Sequence, residues 1–195
     1  MKKLYLFDFD GTLTTKDTMF LFLKFYNKGK FRVQFIKYIP LFVLLKLGLL
    51  NNTKVKQSFI ASILKGEKKS RLEETADAFF RTYYPKIIRP AALEFIKKID
   101  RGHTYCFLVT ASLDIWVRPF AEEFGMNLLS TEALYKDDIF TGRFATKNCN
   151  GEEKVRRINK AVEGLRYDKS IAFGDTKGDK SMLNWANEGL FQFFH

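Results

Sequence analysis

The chain is predicted to be an α/β protein, a doubly wound parallel sheet with a helical segment inserted behind its first strand. Three observations carry this. Short apolar runs alternate with helix-length stretches, the rhythm of βαβ units. Acidic and hydroxyl residues cluster just past those runs, at the edge where parallel sheets bind ligands. Between them, residues 15–89 show almost no strand alternation and read as helices. The core domain is therefore assigned to residues 1–14 and 90–195, and a helical cap to residues 15–89. With 195 residues and 46% hydrophobic content, the chain is long and apolar enough to bury a full core plus a small insert.

The first strand is placed at 3–8, where the apolar run Leu4 to Phe7 ends at the Gly11-Thr12 turn signal. Tyr83-Tyr84-Pro85 and Arg89-Pro90 mark the return from the insert, since a residue before proline avoids helix. A helix is expected over 90–101, then a strand over 104–109 ending at Thr110-Ala111-Ser112, then a helix over 113–124. A strand over 127–130 follows. Asp137 and Asp138 read as turn residues leading into a short β extension. The remaining core elements are a helix over 152–163, a strand over 170–173, a helix over 180–187 and a strand over 190–194.

Asp8 and Asp10 are two apart at a strand end, so both carboxylates leave on one side and the phenylalanines on the other. Like charges that close raise one another's pKa unless a cation neutralises them. An oxygen-lined divalent site suited to magnesium meets that need. One carboxylate can then attack phosphorus while its neighbour handles the leaving-group proton. The plainer alternative is a turn or a helix cap. Asp175 and Asp179, four apart in Gly174-Asp175-Thr176-Lys177-Gly178-Asp179, fall near one spot on a helical turn, with Asp179 alternatively an N-cap. Thr110, at a strand end before a helix, is a candidate phosphate seat. Lys154, by itself, reads as a solvated helix lysine.

Taken in order, these motifs resemble those of the haloacid dehalogenase superfamily over nearly the whole chain. Asp8-Phe9-Asp10-Gly11-Thr12-Leu13-Thr14 matches its first motif, Thr110 the second, Lys154 the third, and Asp175 with Asp179 the fourth. The spacing is similar to the subgroup that includes phosphoserine phosphatase, with a Rossmann-like core and a helical cap of the C1 type between the first two motifs. The resemblance implies a phosphatase. Asp8 would be the nucleophile, and Asp10 the general acid and then base. Mg2+ would be held by Asp8, the Asp10 backbone carbonyl and Asp175, with Asp179 beside the metal or holding Lys154. Thr110 and the amide of Ala111, with Ser112, would grip phosphate oxygens, while Lys154 would neutralise charge. For phosphoserine it asks for a cap acid, where Asp17 stands, and a cap arginine, where Lys54 and Lys56 stand instead. Lysine does not copy the arginine fork. Thr110-Ala111-Ser112 in place of Ser-Gly-Gly, and Gly178 in place of asparagine, are further departures from that subgroup.

The net charge of +11 is concentrated in the cap, where residues 16–66 hold ten Lys or Arg against one Asp. The same region holds Tyr38 to Leu50, thirteen residues with a single charge, Lys46. That is too short to span a bilayer, which takes about 20 apolar residues. It reads either as a helix packed in the cap, broken at Pro40, or as an interfacial segment whose flanking lysines meet anionic head groups. Two substrate classes follow: a small phosphorylated metabolite such as phosphoserine, or a lipid phosphate such as phosphatidylglycerophosphate. A basic nucleic-acid or anion-binding protein without turnover is the competing class. Nucleic acid is the weaker partner, because no recognition motif accompanies the charge. Two cysteines, Cys106 and Cys149, do not make a disulfide framework. Asp8 and Asp10 interrupt any signal-peptide core after Met1-Lys2-Lys3. The expected setting is the cytoplasm, with peripheral contact to anionic membrane lipid as the alternative. The oligomeric state is left open.

Overall fold

In the computed structural model, which describes residues 1–195, strand β1 (Lys3–Phe7) is followed by four helices: α1 (Thr18–Tyr26), α2 (Lys28–Lys46), α3 (Asn52–Leu64) and α4 (Lys69–Tyr83). Then come α5 (Pro90–Lys97), β2 (Thr104–Leu113), α6 (Asp114–Glu123) and β3 (Asn127–Thr131). A hairpin, β4 (Ala133–Lys136) and β5 (Ile139–Phe144), precedes α7 (Glu152–Ala161), β6 (Lys169–Gly174), α8 (Lys180–Trp185) and β7 (Glu188–Phe191).

The central sheet has the order β3-β2-β1-β6-β7, all parallel. Alternation along β1 divides the core into two layers. Tyr5 and Phe7 face one side, where Phe7 stacks on Phe173 at 4.8 Å and both rings meet Phe95 edge-on. Leu4 and Leu6 face the other, against Phe107, Val109, Ile158 and Met182. Burying each such side chain contributes about 1.5–3 kcal/mol, so both faces demand a helical cover, which is what a doubly wound sheet provides. The first layer continues without a break into the insert: Phe22 stacks on Trp116 at 5.2 Å, and Phe79 meets Phe120 at 6.1 Å.

The insert enters and leaves side by side. Thr15 N donates to Ile87 O at 2.8 Å, and Arg89 N to Leu13 O at 2.8 Å. The hairpin of the core also reaches the insert, with Lys69 N donating to Asp138 O at 2.8 Å and Phe140 N to Glu67 O at 2.9 Å. Asp137 (φ 51°) and Asp138 (φ 59°) occupy both central positions of the hairpin turn, the geometry of type I′. They serve the turn, as their spacing predicts.

α5, α7 and α8 end two to four residues short of the sequence expectation, at Lys97, Ala161 and Trp185, and three further elements depart from it in other ways. β2 runs on to Leu113 because Thr110 and Leu113 still pair with β3 across a register shift. β7 ends at Phe191, and Phe194 turns back to stack against Phe173 at 5.0 Å. α2 passes through Pro40 unbroken, since the amide proton that proline lacks is lost on an exposed helix where water can serve the freed carbonyl. α2 also buries none of its residues fully, although Phe35, Tyr38 and Phe42 pack against Phe59 of α3. No helix is long and apolar enough to cross a membrane.

Candidate active site

β1, β2 and β6 end side by side, so the loops after them share one crevice. Asp8 continues the pairing by donating its amide to Phe173 O at 2.9 Å. Its carboxylate is buried, with Oδ1 accepting from Lys154 Nζ at 2.6 Å and Oδ2 from Thr12 Oγ1 at 3.0 Å. Lys154 is 1% exposed, far from a solvated lysine. Its ammonium also donates to Val109 O and to Asp179 Oδ1, both at 2.7 Å, so three protons meet three acceptors. The first turn of α7 delivers it across the sheet edge.

The loop after β6 is tied by Asp179. Its Oδ2 accepts from Thr176 Oγ1 at 2.7 Å, from Thr176 N at 2.9 Å and from Asp175 N at 3.2 Å. It gives no side-chain cap to α8, so the N-cap alternative is replaced by loop tying and the ion pair with Lys154. Gly174 makes this possible, because a Cβ there would lie 2.5 Å from that of Asp179. Gly11 (φ +85°) does the same for Asp175, whose carboxylate fills the space a side chain would take.

Asp8, Asp175 and Asp179 each bring one oxygen within 4.8 Å of the others. Thr12 Oγ1 faces both Asp8 and, at 2.9 Å, Asp175, and a hydroxyl has a single proton to give. Apart from backbone amides, the three carboxylates thus share one ammonium and the hydroxyl protons of Thr12 and Thr176. Oxygen donors with this excess of negative charge fit a hard divalent cation such as Mg2+. The Asp10 carboxylate is not among them, which accords with the expectation that Asp10 would offer a metal its backbone carbonyl and not its side chain.

That carboxylate is held elsewhere. Oδ1 accepts from Thr18 N at 2.7 Å and from Thr18 Oγ1 at 2.6 Å, and Oδ2 from Ser112 Oγ at 2.6 Å. Trp116 Nε1 in turn donates to Thr18 Oγ1 at 3.1 Å. Thr110 is buried at the irregularity of β2, where its hydroxyl oxygen accepts from Ser112 N at 3.0 Å and keeps its own proton to donate.

Electrostatics follow from this crowding. Burial, reinforced by Asp179 and Asp10, pushes the Asp8 carboxyl up to about 7 against the pull of Lys154. Lys154 is held above its ordinary value: burial opposes its charge, but Asp8 and Asp179 outweigh that. Asp179 lies below the usual carboxylate range, because Lys154 and Thr176 outweigh its burial.

A cavity of about 660 Å3 opens over these groups. Asp17 stands at its mouth, where enclosure and the charge of Asp10 push its carboxyl up to about 6. Lys56 reaches in from α3 to donate to Ala111 O at 2.9 Å; burial lowers its pKa against the pull of Asp10 and Asp17. Ala111 and Ser112 also line the cavity, and its apolar wall includes Met19, Phe20, Phe42, Leu45 and Val55. Lys54 is not brought to the site. Two residues before Lys56, it points about 200° away around the helix and is exposed, which corrects its place among the candidates.

Thr18, Trp116 and the shared hydroxyl of Thr12 lie outside the sequence expectation. Thr12 carries a signal, its place inside the first motif. Thr18 and Trp116 carry no local signal, since their role exists only through Asp10.

A family model of haloacid dehalogenase-like hydrolases matches residues 5–184. Protein CicA of Caulobacter vibrioides is 33% identical over 190 residues, covering 96% of this chain and 85% of its own. A protein of unknown function from Bordetella pertussis Tohama I superposes with a TM-score of 0.78 at 23% identity, over 95% of this chain and 87% of that one. A substrate-bound phosphoserine phosphatase superposes with a TM-score of 0.67 at 22% identity, over 98% and 85%. At such identities the structural likeness speaks for the fold.

Proposed function

Because this chain belongs to the haloacid dehalogenase-like hydrolases, we propose that it is a Mg2+-dependent phosphomonoesterase working through an aspartyl-phosphate on Asp8. The observation that carries this reading is the buried Asp8–Lys154–Asp179 constellation at the floor of the cavity, with Thr110 beside it.

In the first half-reaction, an Asp8 carboxylate oxygen bonds to phosphorus as the bond from phosphorus to the leaving oxygen breaks. Asp10 gives that oxygen a proton. Its Oδ2 is the oxygen suited to carry the proton, because its partner is the Ser112 hydroxyl, which can reverse from donor to acceptor, whereas Oδ1 is fixed by the Thr18 amide. In the second half, water attacks phosphorus, Asp10 takes its proton, and the Asp8–phosphorus bond breaks to release phosphate. Lys154 and the Thr110 hydroxyl stand where charge builds on the equatorial oxygens. Asp8, Asp175 and the Asp10 carbonyl would hold the cation, which supplies the positive charge that three carboxylates otherwise lack.

For the leaving group, Asp17 and Lys56 support a small amphoteric ester such as phosphoserine, the substrate class named for the structural neighbour. The apolar wall of Phe42, Leu45 and Val55 supports the second reading, a lipid phosphate. A cytoplasmic setting accords with two free, buried cysteines. The test is phosphate release with Mg2+ from phosphoserine, sugar phosphates, nucleotides and micellar phosphatidylglycerophosphate. Asp8→Asn should lower turnover at least about a thousandfold, and EDTA should abolish it reversibly. Asp8-independent release would remove the covalent mechanism.

A further inference from the structure

We propose that the outer face of α2 and the loop after it dock on an anionic lipid surface. α2 is apolar on two opposite faces. One stripe, Phe35, Tyr38 and Phe42, packs against Phe59. On the other side Val33, Ile36, Val43 and Leu47 stand 53%, 67%, 54% and 66% exposed. Their spacings of three, seven and four residues keep them on one face at 100° per residue. Leu49, at 67% exposure, extends this surface past the helix. A contiguous apolar face of this kind marks an interaction site.

Charge selects the occupant. Arg32 and Lys37 flank the apolar stripe on either side, and both are on the outer half of the helix by the same 100° step. Between Lys16 and Gly66 the one acid is Asp17, which lines the catalytic cavity and caps the start of α1 through Phe20 N, away from α2 in sequence. A second copy of this chain would bring a strongly basic face against its like. An anionic lipid headgroup layer complements the basic rim, while the apolar stripe enters the acyl boundary. α2 lies on such a surface without spanning it, in keeping with the lack of any helix able to cross.

Docking would also aim the site. Leu45 and Lys46 line the cavity, and Leu47 follows them directly on the exposed face. The mouth of the cavity would therefore open at the lipid interface. The docking itself does not depend on the phosphatase reading.

The test is co-sedimentation of the full chain with vesicles of phosphatidylglycerol and phosphatidylcholine, beside vesicles of phosphatidylcholine alone. Binding is expected for the anionic vesicles only, should fall with salt, and should persist in Asp8→Asn, which separates it from catalysis. Ile36→Gln with Val43→Gln should weaken it at least tenfold, with far-UV circular dichroism unchanged because both positions are exposed. Arg32→Gln or Lys37→Gln should weaken it about fivefold each, and Lys160→Gln, on the far side of the sheet, should not. No anionic binding at low salt overturns the proposal. So does a dimer that the α2 substitutions dissolve without any effect on vesicles.

Discussion

Lys154 ties three strand ends of the site together, since its ammonium meets Asp8 just after β1, Val109 from β2 and Asp179 from the loop after β6. Removing one partner of a buried ion network leaves the others uncompensated. Lys154→Met, measured by urea unfolding in EDTA, should therefore cost about 3–5 kcal/mol. A loss below 1 kcal/mol would mean that the two carboxylates are not truly desolvated. Asp8 gives the opposite sign. Its carboxyl is raised to about 7 by burial and like charge, so the folded, metal-free protein holds a proton that the unfolded chain has released. Stability in EDTA should accordingly fall as pH rises from about 4 through 7. Asp8→Asn should flatten that fall and be more stable than the parent above pH 7, as pH-resolved denaturation would reveal.

At the scale of elements, strand ends and tight turns set the chemistry. The irregularity in β2 between Thr110 and Leu113 turns Ser112 toward Asp10 while Thr110 stays over the cavity. The β4–β5 hairpin is a second case: both of its central residues adopt positive φ, which a residue with a Cβ reaches at a cost. Asp138→Gly should relieve that cost and gain up to about 1 kcal/mol, seen as a rise of about 2–4 °C in thermal midpoint. Its backbone carbonyl, which accepts from Lys69 N of the insert, is untouched. A drop in midpoint would show that the Asp138 side chain contributes more than the turn costs. α2 completes this scale, because its inner aromatic stripe fixes the helix to α3 and thereby leaves its other apolar face outward.

For the whole molecule, the three-carboxylate cluster ties stability to metal. A cation that binds the folded state alone stabilises it by about 2.7 kcal/mol at a hundredfold excess over Kd. Mg2+ should therefore raise the thermal midpoint by about 5 °C or more, and Asp175→Asn should lose most of that rise, a readout that needs no substrate. A Mg2+-indifferent midpoint would leave the cluster without its cation. Much of this organisation is legible in the chain itself. The apolar runs around Leu6, Val109 and Ala172 determine strands whose ends carry Asp8, Thr110 and Asp175, because side-chain alternation and turn residues act over a few neighbours. The phase of α3, which turns Lys56 inward and Lys54 outward, is not legible without knowing which face packs. The partnership of Asp10 with Thr18 and Ser112, and the burial of Lys154, belong to the tertiary structure alone. Strand identity is a local property, whereas desolvation and ion pairing depend on groups that the chain brings together from 102 and 146 residues apart.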